Sequence, residues 1–217
     1  MHRPTQFRLS ILLAVAGAAS GAVILDQIAV VVDKHAIKSS DIDRDIRLTA
    51  FLNRERPDFS AQSKKLSAER LIDQQLIREE IATGSYRRPA EKEAETLQTQ
   101  LVRDRFHGSD AELAKALTQY GLTLEELSAQ LLWQLTVLRF IDQRFRAGAF
   151  VSDDQVQQYL QQHQAELRKE NPGAKQDVLQ SKARDILEGE LVNKNFADWL
   201  EQARKRTSIE YKQGAFA

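Results

Sequence analysis

Residues 124–146 read LEELSAQLLWQLTVLRFIDQRFR, and this stretch decides the fold. Thr123 before it and Glu126 within it form a capping box, which predicts the start of a helix. Apolar residues then advance by three or four positions and form one stripe: Leu124, Leu127, Leu131, Leu135, Leu138, Ile141 and Phe145. A second apolar set, Trp133, Val137 and Phe140, falls on roughly the opposite side at about 100° per residue. The stretch therefore predicts a helix that is apolar on two faces.

Two interpretations of the second face remain open. The face can be core, because buried aromatic stripes mostly are. It can instead be a surface that receives apolar segments of other chains, because an apolar face in a polar chain has to meet something. On this second interpretation the candidate binding residues are Trp133, Val137 and Phe140, joined by Leu132 and Phe51.

The segments on either side of this helix predict a mainly α fold. The β-branched run at residues 24–32, a turn at 33–36 and Ile37 predict a short N-terminal β-hairpin, and residues 207–211 predict a C-terminal strand that pairs with it. Hydroxyl caps, apolar periodicity and Gly or Pro breaks predict further helices between these ends, at about 40–53, 67–82, 89–107, 110–120, 152–169 and 176–205. Gly189 lies on the apolar stripe of the last helix, where we expect it to allow close helix–helix approach.

The N-terminus predicts an export signal. Arg3 and Arg8 precede the apolar run LSILLAVAGAA and a small-residue segment suited to cleavage after Ala22. The competing interpretation is an uncleaved anchor. We expect a signal peptide at 1–22, a helical module at 23–150, and C-terminal helices and a strand at 151–217 that complete that module. Cleavage would place the protein in the periplasm or outside the cell, with no stable membrane insertion.

Composition removes several classes of function. The 217 residues include 31 Lys and Arg and 31 Asp and Glu, so the formal net charge is zero. The chain as a whole therefore has no electrostatic attraction for nucleic acid. With no Cys and four scattered His, the chain predicts no disulfide, no metal site and no Cys nucleophile. Phosphate-binding loops, serine-hydrolase motifs and zinc-protease motifs are missing from the sequence. Neither a catalytic residue nor a cofactor is predicted.

Four segments resemble the SurA family of periplasmic chaperones in content and order. They are VVVDKHAIKSSDID, RLIDQQLIREEIA, GLTLEELSAQLLWQLTVLRFIDQRF and VNKNFADWLEQARKRTSIEYK, within residues 24–212. The resemblance is to the N-terminal chaperone module and the C-terminal helix of that family. Related proteins commonly carry a parvulin prolyl isomerase domain before the last helix, where this chain has only Asn171-Pro172-Gly173. The resemblance therefore implies that isomerase activity is absent.

The resemblance implies an ATP-independent holdase that binds unfolded outer-membrane protein precursors through an apolar groove, in the periplasm and without a cofactor. A homodimer is compatible with it. Two alternatives stay open. The first is a protein of the prolyl isomerase class with a degenerate site, which an isomerisation assay would reveal. The second is a structural or adaptor protein whose second apolar face is permanently covered by a partner.

Overall fold

The computed structural model describes residues 26–216, and the proposed signal peptide lies outside them. The described chain is mainly helical with one small sheet, as the sequence predicts. In the described part, none of the helices has the length and hydropathy needed to span a membrane. The strands are β1 (Ile28–Val32), β2 (His35–Lys38) and β3 (Ile209–Tyr211), and the helices are α1 (Ser39–Asn53), α2 (Ala61–Thr83), α3 (Glu91–Phe106), α4 (Asp110–Tyr120), α5 (Leu124–Phe145), α6 (Asp153–Glu170) and α7 (Gln176–Arg206).

The sheet joins the two ends of the described chain. Its strand order is β2-β1-β3 and both pairings are antiparallel, with Val32 opposite His35 on one side and Ile209 on the other. Asp33 in the hairpin turn donates its backbone N–H to the Ser208 carbonyl at 2.8 Å, and its carboxylate accepts from the Ser208 N–H at 2.9 Å. The predicted pairing of the C-terminal strand with the hairpin is confirmed.

The buried apolar residues form four clusters, and α5 belongs to two of them. Leu127 and Leu131, in its first half, pack with α1, α3 and α4. Phe140 and Phe145, in its second half, pack with α2 and α7. The helix thus changes neighbours along its length. Of the second face, Phe140 is core, whereas Trp133 and Val137 are only partly buried.

The residues at which α1, α2 and α3 begin differ from the prediction. Lys38 donates its N–H to Asp41 Oδ2 at 3.0 Å and precedes α1, whereas the predicted cap Ser40 hydrogen bonds to Asp26. Ser60 caps α2, which begins six residues earlier than expected, and α3 begins two residues after Pro89. The predicted hydroxyl caps of α4, α5 and α6 are confirmed, because the side-chain oxygens of Ser109, Thr123 and Ser152 each accept a hydrogen bond from the backbone N–H three residues later.

The prediction for Gly189 is wrong. A Cβ placed at this residue would meet no heavy atom within 4 Å outside its own helical turn, so no neighbouring helix approaches closely there. The reason lies in the packing of α7, whose first half packs around Leu179 and Ala183 on α6 and on Val151 just before it. Its second half packs on the rest of the molecule through Trp199 and Ala203. Gly189 lies between these two packed regions.

Candidate functional site

Three adjoining surface hollows surround Trp133, and together we call them the Trp133 groove. The α1 side has a hollow of about 530 Å³, the α7 side one of about 480 Å³, and the Pro89 side one of about 440 Å³. Trp133 lines all three and is half-buried. The guanidinium of Arg78 on α2 covers its ring, with Cζ 3.8 Å from the ring centroid. The stacked pair divides the groove into its three parts.

The hollow on the α7 side is the apolar one. It lies between α2, α5 and α7, and its apolar lining consists of Trp133, Ile77, Val137, Leu138, Phe196 and Leu200. Leu138 stands at its edge with 64% of its surface exposed. Leu66 and Leu124 are also more than a third exposed but do not line this hollow. An apolar side chain that entered here would lose contact with water on several sides.

Ion pairs hold α7 against α2 beside the apolar hollow. Arg204 on α7 donates to Asp73 at 2.5 Å and to Glu69 at 2.6 Å. Burial raises the pKa of the Asp73 carboxyl, although the hydrogen bond from Arg204 opposes this effect. Tyr211 on β3 donates to the other oxygen of Glu69 at 2.6 Å. The side of the apolar hollow that α7 forms is therefore held in place by bonds within the protein itself.

The hollow on the α1 side, which we call the polar hollow, has the most charged lining of the three, and four of its six charged side chains are ion-paired. Arg44 donates to Glu126 at 2.9 Å and to Asp41 at 3.1 Å. The hydrogen bond from the Thr123 N–H lowers the pKa of Glu126, and Arg44 lowers it further against the opposing effect of burial. Asp45 is buried at the base of this hollow and is neutralised by Arg70 on α2. Glu125 and Arg78 also line the hollow, so its lining contains four acidic and two basic side chains.

The hollow on the Pro89 side combines two arginines with apolar side chains. Arg78 and Arg88 line it together with Ile81, Pro89, Ala129, Leu132, Trp133 and Thr136. The loop that carries Arg88 is fixed to α5, because Arg139 donates to the Arg88 carbonyl at 3.3 Å and to Glu93 at 2.7 Å. Arg144 adds a second link from α5 through Glu80 and Tyr86.

Three of the five sequence-predicted site residues lie on the groove. Trp133 lines every hollow, Val137 lines the apolar one and Leu132 lines the hollow at Pro89. Their placement on one surface follows from the helical spacing of α5 and its position between α2, α3 and α7. The structure thus provides these three residues with a concave surface, and it leaves open what they bind.

Placing Phe140 and Phe51 on an exposed surface was wrong. Phe140 is 1% exposed and its ring packs against Tyr86, Phe145 and Trp199, with centroids 5.0 to 5.9 Å apart. Phe51 is 5% exposed and packs on Phe106 and Tyr120. Phe140 is buried because α7 covers the far end of α5, and Phe51 is buried because α3 and α4 cover that part of α1.

The sequence did not assign most of the groove lining to a site, and the missed residues include Arg78, Ile77, Phe196 and Leu200. These four come from α2 and α7, and the sequence signal for Phe196 was its place on a stripe that was interpreted as core. Leu138 was assigned to the core stripe and is the most exposed apolar side chain of the groove. Periodicity identifies a shared face, whereas exposure depends on which helix lies opposite.

The described residues contain no cluster of three or more His, Asp or Glu that could hold a metal ion. His35 lies 3.2 Å from Glu79, and His163 stacks on Tyr159 near Glu166. Both histidines therefore contact single carboxylates away from the groove lining.

No family model matches the chain, and no curated protein matches it.

Proposed function

We propose that this protein is an ATP-independent chaperone that holds unfolded polypeptides in the Trp133 groove. The observation that carries the proposal is the open apolar hollow between α2, α5 and α7, with Leu138 exposed at its edge. The resemblance of four ordered segments to the SurA family supports the same function. From that resemblance we further propose a periplasmic location and outer-membrane protein precursors as clients.

The lining of the groove suits clients of varied sequence. Apolar side chains can enter the hollow at Leu138, while the polar hollow leaves room for hydrophilic neighbours on the same segment. Binding pockets of several hundred Å³ accept groups of side-chain size and larger. Weak contacts spread over three hollows would give affinity without strict sequence requirements.

Binding alone is sufficient for this activity. A protein that binds the unfolded chain lowers its free concentration by mass action, and aggregation slows because it depends on that concentration. No nucleotide is needed for such a step. The balanced charge of the chain, 31 basic and 31 acidic residues, is compatible with binding clients of either net charge.

Aggregation suppression tests the proposal. A denatured outer-membrane β-barrel protein is diluted into buffer with the purified chain, and light scattering is followed. We expect suppression by the parent protein and about fivefold weaker suppression by Leu138→Gln, because burial of a partly exposed leucine contributes about 1 kcal/mol. Absence of suppression by the parent protein would refute the proposal.

Leu124→Gln is the matched control. It makes the same substitution on the same helix at a residue that is 49% exposed and does not line the groove. We expect it to suppress aggregation as well as the parent protein does. Equal loss in both variants would show that the groove is not the binding surface.

The adaptor alternative is distinguished by the lifetime of the complex. A covered structural surface would be occupied by one partner or by a second copy of the chain, and sedimentation would show a constant stoichiometry. A holdase releases its clients, and the free protein is recovered. The isomerase alternative is tested by the rate of proline isomerisation in a model peptide, which we expect to remain at its slow spontaneous value.

A further inference from the structure

Arg78 on α2 has no carboxylate partner in the described residues, although two glutamates follow it directly in the sequence. Glu79 lies 3.2 Å from His35 and accepts a hydrogen bond from Gln75. Glu80 is held by Arg144 and Tyr86. The contact that Arg78 makes is with the ring of Trp133. Its positive charge is thus left for a group from outside.

Arg88 adds a second unpaired guanidinium to the same hollow. No carboxylate of residues 26–216 lies within ion-pair distance of it, and the lining of the hollow contains no acidic residue. The nearby glutamate, Glu93, is bound by Arg139 at 2.7 Å. The lining of this hollow therefore carries net positive charge, and its apolar side chains include Ile81, Leu132 and Trp133.

The other hollows would not attract an anion. Arg78 also lines the polar hollow, but there the acidic side chains of Asp41, Asp45, Glu125 and Glu126 outnumber the two arginines, and Arg44 is already paired with Asp41 and Glu126. In the apolar hollow, Arg70 is ion-paired with Asp45, and Asp73 is ion-paired with Arg204. An incoming carboxylate therefore has its complementary charge at the Pro89 side of Trp133.

We propose that the hollow of Arg78 and Arg88 binds the side-chain carboxylate of a client, so that the groove selects unfolded segments in which Asp or Glu lies within two residues of a large apolar residue. The inference rests on the proposed function and adds a charge preference to it. In an extended chain, residues two apart lie on the same face at about 7 Å. Since Trp133 borders both hollows, the carboxylate can lie on one side of its ring and the apolar side chain on the other.

Burial of the Arg78 guanidinium favours the binding of a client carboxylate. Contact with Trp133 and neighbouring groups lowers the pKa of the Arg78 guanidinium, although it remains charged at neutral pH. A cation that is partly withdrawn from water and has no anionic partner is stabilised by a carboxylate that replaces the missing solvation. Such charge-assisted hydrogen bonds are stronger than those between neutral groups.

Three fluorescein-labelled peptides test the inference on the full chain. They share one extended sequence with two leucines and differ in a single central residue, which is Glu, Gln or Lys. Fluorescence anisotropy gives each dissociation constant. We expect the Glu peptide to bind about fivefold more tightly than the Gln peptide and the Lys peptide to bind most weakly, with the differences reduced at about 0.5 M salt.

Two variants locate the effect. Arg78→Gln and Arg88→Gln should each bring the affinity for the Glu peptide within about twofold of the affinity that the same variant has for the Gln peptide. The guanidinium stacked on Trp133 is that of Arg78, so the Arg88 variant keeps the stacked pair and controls for its loss. Arg87→Gln removes the same charge one residue away from the lining and should keep the full preference.

The outcomes separate the two proposals. Equal binding of the Glu and Gln peptides by the parent protein overturns the charge preference and leaves the chaperone proposal standing. A preference that survives both Arg78→Gln and Arg88→Gln overturns the assigned position. If none of the peptides binds while aggregation is still suppressed, the preference is overturned; if suppression is absent as well, both proposals are overturned.

Discussion

Arg44 on α1 donates its Nε–H to Glu126 Oε1 on α5 at 2.9 Å, and this bond closes one end of the Trp133 groove. Glu126 also accepts the N–H of Thr123 at 2.9 Å and so caps the helix that carries Trp133. One carboxylate therefore both starts α5 and joins it to α1. The stability of this corner of the groove depends on the charge of Glu126.

The charge of Glu126 predicts a pH-dependent contribution to stability. Because the pKa of Glu126 is lowered from its ordinary value of 4.5, its stabilisation is fully present above pH 4.5 and is lost as the pH falls through the folded-state value. We expect Glu126→Gln to lower the free energy of unfolding by about 0.5 to 1 kcal/mol at pH 7 and by less at pH 3. Urea denaturation at both pH values measures this difference. A constant difference would show that the charge of Glu126 does not stabilise the fold.

Truncation of Phe140 should destabilise the fold much more than truncation of Leu138. Phe140→Ala removes a ring that is 1% exposed and leaves a cavity among Tyr86, Phe145 and Trp199, so we expect it to destabilise the fold by about 3 to 5 kcal/mol. Leu138→Ala removes a side chain at the groove edge and should cost less than about 1 kcal/mol. Chemical denaturation of the two variants tests this. Similar losses for both would contradict the assignment of Phe140 to the core and Leu138 to the surface.

Ser67 should stabilise the contact between α1 and α2 through a buried polar network. Its hydroxyl is fully buried, 2.7 Å from Asp45 Oδ2 and 3.1 Å from the Ile42 carbonyl oxygen, and Arg70 binds the same carboxylate oxygen of Asp45. Ser67→Ala leaves these acceptors without that donor. We expect a loss of about 1 to 3 kcal/mol in the free energy of unfolding.

Ser63→Ala is the comparison for Ser67→Ala. Ser63 lies one turn earlier on α2, and its hydroxyl donates to Asp58 in a part of the surface that is open to water. We expect the cost there to be less than about 1 kcal/mol, because water can replace the lost donor. A cost at Ser67 that is no larger than the cost at Ser63 would argue against the buried network as a source of stability.

Gly189→Ala should raise stability. The residue is helical, an added Cβ meets no heavy atom within 4 Å, and alanine is favoured over glycine in a helix by about 0.5 to 1 kcal/mol. Gly121→Ala should act in the opposite direction, because Gly121 has φ +65 and Arg47 lies 3.4 Å from the added Cβ. Thermal unfolding measures both changes. A loss of stability in Gly189→Ala would mean that the glycine is needed for a closer approach than the structure contains.

The elements of this fold could be predicted where the signal is local. Ser109, Thr123 and Ser152 each lie three residues before a residue that completes a capping motif, and the helices begin where these motifs predict. Pairing of the predicted strand at 207–211 with the hairpin was expected because so short a strand is marginal by itself. The start of α2 was missed because residues 61–66 contain only one large apolar residue, Leu66, which is exposed.

The groove could be predicted only in part, because its walls belong to distant segments. Val137 and Phe196 line one hollow from two helices that are far apart in the sequence. Periodicity placed Trp133, Val137 and Phe140 on one face of α5, yet it contains no information on where α7 crosses that face. Since α7 covers Phe140 and leaves Leu138 open, the packing of α7 decides which side chains are core and which reach solvent.

Site-directed crosslinking tests the central proposal most directly. The chain contains no cysteine, so Leu138→Cys, Leu124→Cys and Phe150→Cys each provide one attachment point for a thiol-linked photoreactive group. Phe150 is 83% exposed and does not line the groove, which makes it a strict control for exposed apolar positions. If the groove holds unfolded polypeptide, position 138 forms abundant crosslinks to a denatured outer-membrane protein, and positions 124 and 150 form few. Crosslinks from 124 or 150 that equal or exceed those from 138 would contradict binding in the Trp133 groove.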